Sequence, residues 1–181
     1  IVADAVAKAL RDVLHKAVDD RDTEVVRAIL NHKQHGVNIN AKKNKVTALM
    51  KAVRKQDTET VSVLMSDSRL DPGVTDAHGH TAFNMALEDS SGECTPITDI
   101  MIRDPRVDIN SGSFKPKMFT ALHNACFNLN VSNLEVLLQR PELDLNLQED
   151  GGDVYPLVSV NDNHDGRHAT NQNSLIEITK L

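Results

Sequence analysis

The sequence has no tryptophan, one tyrosine and four phenylalanines. A single thick core usually recruits more large rings. So few of them favour a thin, layered or repetitive core built from Leu, Val, Ile and Ala. Cysteine is almost as scarce. Cys94 and Cys126 form no CxxC pair and no disulfide framework, which suits a reducing compartment. No apolar run approaches the ~20 residues of a membrane-spanning helix. Basic charge is in deficit too. Twenty Lys and Arg stand against 26 Asp and Glu, a net charge of −6, which argues against nucleic acid as the main partner. The chain opens at Ile1 with neither Met nor the start of a signal peptide. These features predict a piece of a longer intracellular protein, cytoplasmic or nuclear, with no membrane partner.

What the chain does have is self-similarity. Asp12-Val13-Leu14-His15-Lys16-Ala17, Thr47-Ala48-Leu49-Met50-Lys51-Ala52, Thr81-Ala82-Phe83-Asn84-Met85-Ala86 and Thr120-Ala121-Leu122-His123-Asn124-Ala125 start 35, 34 and 39 residues apart. A weaker fifth copy begins at Tyr155-Pro156-Leu157. About ten residues after each start comes a second apolar helix. These are Val25–Leu30, Val61–Met65, Ile100–Ile102 and Leu134–Leu138. A short alternating segment follows: Val37-Asn38-Ile39-Asn40, Val107-Asp108-Ile109-Asn110 and Leu143-Asp144-Leu145-Asn146, with Leu70-Asp71-Pro72-Gly73-Val74 as a degenerate version. The unit is therefore helix, helix, extended finger.

This unit resembles the ankyrin repeat, whose signature is T-P-L-H-x-A within about 33 residues. Asp76-Ala77-His78-Gly79-His80-Thr81 also fits the family's D-x-x-G-x-T turn. The resemblance covers roughly residues 10 to 160 and implies an all-α solenoid of stacked helix-turn-helix units with short β-hairpin-like fingers. One domain over 1–181 is expected, with repeats near 1–40, 41–74, 75–110, 111–147 and 148–181. Ala17, Ala52, Ala86 and Ala125 allow close helix packing, and Leu14, Leu49, Phe83 and Leu122 fill the space between layers. Units of this kind cannot bury their apolar faces alone, so they stack. At the front, Val2, Val6, Leu10, Val13, Leu14 and Ala17 recur at helical spacing. They predict one long helix over 2–19, or two abutting ones, as a cap without a finger. The third copy is longer, with extra residues near 88–96 and 111–117, and Pro96 suits the first turn of its second helix.

In the ankyrin family the finger tips and the exposed side of the first helices form a concave binding surface. The resemblance implies an adaptor or scaffold that binds a protein partner there and is not itself an enzyme. The alternative is a regulatory or substrate-recruiting segment of a larger signalling enzyme, ubiquitin ligase or channel. Carried onto this chain, the strip comprises Lys43, Asn44, Val46, Arg54 and Lys55; then His78, His80, Glu88 and Asp89; then Lys117, Phe119, Phe127 and Asn128. Lys42 and Lys45 lie beside the first group, and acidic Asp19 and Asp20 precede it. An aromatic beside a cation is the composition of an interface centre. The expected partner places acidic residues on Lys43, Arg54 and Lys55 and an apolar anchor on Phe119 and Phe127. The competing reading is that the lysines are merely solvated and the rings pack between repeats. A monomer is expected.

Other groupings have simpler structural readings. His123 and Cys126 form H-x-x-C, but structural zinc needs four ligands and no matching second pair exists. His15 and His123 hold the family's T-x-L-H position, where the imidazole braces backbone between repeats. His78, His80, Glu88 and Asp89 could approach one another as a surface metal site, though chance produces such groups. Asn161-Asp162-Asn163-His164-Asp165-Gly166 partly fits a calcium loop, but Gln172 stands where a bidentate Glu is needed. Family fingers can be hydroxylated at the closing Asn, the place of Asn40, Asn110 and Asn146. No phosphate loop or nucleophile elbow is present. No cofactor and no metal are expected.

Overall fold

The helical spacing at the front produces one continuous helix, α1, over Val2–Asp20. It belongs to a computed structural model that describes residues 2–32, 37–87, 95–112, 120–127 and 131–146. The helices that follow are α2 (Thr23–Asn31), α3 (Ala48–Arg54), α4 (Thr58–Met65), α5 (Ala82–Leu87), α6 (Thr95–Ile102), α7 (Ala121–Phe127) and α8 (Val131–Leu138). The chain divides into two units, Ile1–Val107 and Asp108–Leu181.

Within the first unit the helices form two parallel rows. α1 packs on α3 and α3 on α5; behind them α2 packs on α4 and α4 on α6. Each first helix also packs on the second helix of its own repeat. In the second unit α7 packs on α8. Among the described residues there are no strands, and the extended element is an isolated antiparallel bridge between Lys43 and Val46. No described helix is long and apolar enough to cross a membrane.

The caps explain where these helices begin. Thr47 Oγ1 accepts from Met50 N at the start of α3. Thr81 and Asn84 form the same exchange at α5, and Thr120 and His123 form it at α7. The second helices use aspartate instead, Asp22 accepting from Val25 N and Asp57 from Thr60 N. Each cap satisfies donors that the first turn leaves open. Pro96 lies in the first turn of α6, where it has no hydrogen bond to break.

The core follows the repeat. Leu14, Leu49, Phe83 and Leu122 are buried, as are Ala17, Ala52, Ala86 and Ala125. Val37, Ile39, Leu70, Val107 and Ile109 anchor the finger segments. One expectation changes at the front. Val6 and Val13 share the helical spacing of the core residues but remain exposed. α2 and α3 cover only part of the surface of α1, and Leu14, Ala17 and Val18 take the buried side.

Candidate interaction surface

Two fingers of the first unit each place a short turn just ahead of a first helix. In the first unit the turn before α3 is held by Lys43 N donating to Val46 O (2.9 Å) and Val46 N donating to Lys43 O (3.2 Å). Asn44 and Lys45 close it with φ of 54° and 69°, a two-residue left-handed hairpin turn. The turn before α5 is closed by Asp76 N donating to His80 O (2.8 Å), with Gly79 at φ 88°. Asp76 Oδ1 accepts from His78 N and His80 N at 2.8 and 3.1 Å. Burial alone would raise the Asp76 pKa, but these two donors and the nearby imidazoles bring it below the usual carboxylate value.

Charges on this side meet across repeats. Lys43 Nζ lies 3.5 Å from Asp12 Oδ1, Lys51 Nζ lies 2.6 Å from Asp19 Oδ2, and Arg54 Nη2 lies 3.6 Å from Asp76 Oδ2. Arg21 Nη2 donates to Lys55 O at 2.5 Å. Lys55 also adds to the field that, after the Lys51 hydrogen bond, holds the Asp19 carboxyl low. Two members of the basic section, Lys43 and Arg54, therefore already meet carboxylates of a neighbouring repeat. Asn44 is exposed on its turn and Val46 half-buried.

The His78 and His80 ring centroids are 6.2 Å apart. Glu88, Asp89, Lys117, Phe119 and Asn128 fall outside the described residues, as does the side chain of Phe127 at the end of α7. The Asn161–Gly166 segment, Gln172 and the whole fifth copy fall outside as well. Among the described residues no group of three or more His, Cys, Asp or Glu is arranged to hold a metal ion. Burial pushes the Cys126 thiol up to about 11, which keeps it protonated and a poor metal ligand.

The two T-x-L-H histidines are both buried. Buried His15 donates from Nε2 to Ala41 O (3.0 Å) and so ties α1 to the next finger. His123 is bonded through Nδ1 to Thr120 Oγ1 (2.8 Å), inside its own first turn.

Two sets of residues have structural roles that the sequence reading did not assign. Asn40 Nδ2 donates to Arg69 O (2.9 Å), while its Oδ1 accepts from Asp71 N (2.9 Å). Asn110 repeats this with Glu142 O (2.7 Å) and Asp144 N (2.9 Å). The second set is an Asp-x-Arg pair after the second helix, Asp67/Arg69 and Asp104/Arg106. In each, the carboxylate grips the guanidinium through two bonds. Arg69 then reaches back to Leu30 O, and Arg106 to Met65 O, Asp67 O and Leu70 O. The recurrence of Asp-x-Arg 37 residues apart was the available signal. Beside this set a groove of about 550 Å³ runs between Leu30, Asn31, Val63 and Ser66. Its two arginines, Arg27 and Arg69, already face Glu24 and Asp67.

Comparison with known proteins accords with this geometry. Residues 4–76 match the family model for ankyrin repeats in three copies. The crystal structure of EF0377, an ankyrin repeat protein, is similar with a TM-score of 0.62 and 22% identity, over 82% of this chain and 71% of that one. The ankyrin repeat domain of Bcl-3, a unique member of the IkappaB protein family, is similar with a TM-score of 0.61 and 24% identity. That match covers 82% of this chain and 64% of the other. No curated protein matches the chain.

Proposed function

From the premise that residues 4–76 are ankyrin repeats and that the chain has the ankyrin-repeat fold, we propose that it is an adaptor or scaffold module. Its partner is a protein or peptide held against the turns and first helices. Ankyrin repeats are in general protein–protein interaction modules, and the fold is a non-catalytic one.

The observation that carries this reading is the contrast within one element. Val37 and Ile39 are buried to fix the finger, whereas Lys42, Asn44, Lys45 and, on the next turn, His78 are exposed. A rigid base with polar side chains projecting from it is a preorganised surface for recognition. The net charge of −6 supports a protein rather than a nucleic acid as the partner. Within the earlier-named strip, Lys43, Asn44, Val46, Arg54, Lys55, His78 and His80 are the contacts assigned to the partner in the first unit.

The test is site-specific photo-cross-linking. A benzophenone amino acid at Asn44 or His78 should form adducts with a cellular protein, and one at exposed Ser62 on α4 should not. Adducts from Ser62 alone would place the partner on the second helices and overturn this reading.

A further inference from the structure

Residues 42–47 and 76–81 hold equivalent places, each ending in the threonine that caps the next helix, Thr47 or Thr81. The later turn is built from residues that suit it. Buried Asp76 braces the turn through the backbone N–H groups of His78 and His80. Gly79 takes the left-handed φ of 88° and has nothing within 4 Å of where a Cβ would lie. The earlier turn leads into its helix without either feature, closed instead by the two-way pairing of Lys43 with Val46. Lys42 stands in the place of Asp76, and an ammonium cannot accept those backbone donors. Lys45 stands in the place of Gly79 at φ 69°, a conformation that a Cβ disfavours, next to Asn44 at φ 54°.

Both lysines are exposed, and among the described residues neither forms an ion pair. Their basic neighbours differ: Lys43 meets Asp12, Lys51 meets Asp19 and Arg54 meets Asp76. The turn has therefore given up its acceptor and its glycine, and carries two positive charges with no carboxylate opposite them among the described residues. Local preferences set aside together at one exposed place mark a functional position.

We propose that Lys42 and Lys45 are the charge-reading pair of the interaction surface and hold an acidic segment, Asp or Glu side chains, of a protein partner. This rests on the interaction reading above and assigns the chemistry of one section of it. Asp12 and Asp19 repel phosphates and carboxylates alike, and the net charge of −6 disfavours nucleic acid as the carrier of the acidic groups.

The experiment uses the 181-residue chain as the parent, with Lys45→Gly, Lys42→Asp and, as a control on the second-helix row, Arg27→Gln. Thermal unfolding is measured for each, together with binding of a fluorescent decaglutamate peptide at low salt and of a duplex DNA probe. Lys45→Gly should unfold at a temperature equal to or above the parent's. It should also lose about fivefold in decaglutamate affinity, the effect of one screened charge at contact distance, with a larger loss for Lys42→Asp. Arg27→Gln should bind as the parent does.

Unchanged affinity in both lysine variants overturns the proposal, as does an equal loss in Arg27→Gln. A Lys45→Gly protein less stable than the parent removes the conformational argument and overturns it too. Binding of DNA in preference to decaglutamate, lost in the same variants, assigns the pair to phosphates instead and overturns it. If the parent ignores decaglutamate, this proposal fails while cross-linking from Asn44 or His78 still decides the broader reading.

Discussion

Asn40 and Asn110 make the same two-bond clasp on the finger that follows each of them. The amide nitrogen donates to a carbonyl (Arg69 O, Glu142 O) and the amide oxygen accepts from an N–H two residues on (Asp71 N, Asp144 N). The pairing needs a donor and an acceptor on separate atoms of one short, flat side chain, and asparagine is the smallest residue that offers this.

Replacing Asn40 should therefore weaken the stack even though the residue lies near the surface. Asn40→Ala is expected to cost about 1–2 kcal/mol, since two modest hydrogen bonds are lost. Asn40→Asp should rescue little, because a carboxylate accepts from Asp71 N but repels Arg69 O. Urea unfolding midpoints check this. A loss in Asn40→Asp much smaller than that in Asn40→Ala would show that only the accepted bond matters.

Leu122 is buried on α7 at the place that Leu14, Leu49 and Phe83 hold in the other first helices. Leu122→Ala should cost about 2–5 kcal/mol through lost burial and the cavity left behind. A change below ~1 kcal/mol in urea unfolding would remove Leu122 from the core.

Arg106 gathers three carbonyls after α4, those of Met65, Asp67 and Leu70. Asp104 holds its guanidinium flat while it does so. Arg106→Ala should cost about 1–3 kcal/mol. Arg106→Lys should recover little of it, since a single ammonium cannot span the fork. Amide exchange would show the difference locally, with faster exchange at the end of α4 than in the parent.

His15 gives a pH dependence. Burial, the largest influence, lowers its pKa; the bond to Ala41 O opposes that, and Lys51 and Lys43 lower it further. A depressed histidine pKa means that the unfolded chain binds more protons than the native one once the pH falls below the unfolded value of 6.5. The contribution of His15 is thus full above 6.5 and declines as the pH drops toward its folded pKa. Urea midpoints between pH 8 and 5 should fall more steeply for the parent than for His15→Gln. Parallel curves would mean that His15 titrates alike in both states.

The clasp and the arginine caps show why some structural roles were readable from the chain and others were not. The phase of the repeat determines which Leu and Ala lie between helices, because each copy presents them at the same step. The length of α1 follows from local spacing in the same way. Val13 does not. It has the helical spacing of a core residue, and only the positions of α2 and α3 leave it outside.

Sequence by itself determined the repeating unit, its helix pairs and its buried Leu and Ala, because these depend on period and on side-chain chemistry alone. Tertiary structure decided which charges are taken. Asp12 meets Lys43 and Asp76 meets Arg54 across repeat boundaries, while Lys42 and Lys45 face none among the described residues, and a short reach between separately folded turns is not encoded in spacing along the chain. It also decided that Lys45 takes a glycine's backbone conformation, since the closed ladder between Lys43 and Val46 imposes that φ whatever side chain the turn carries.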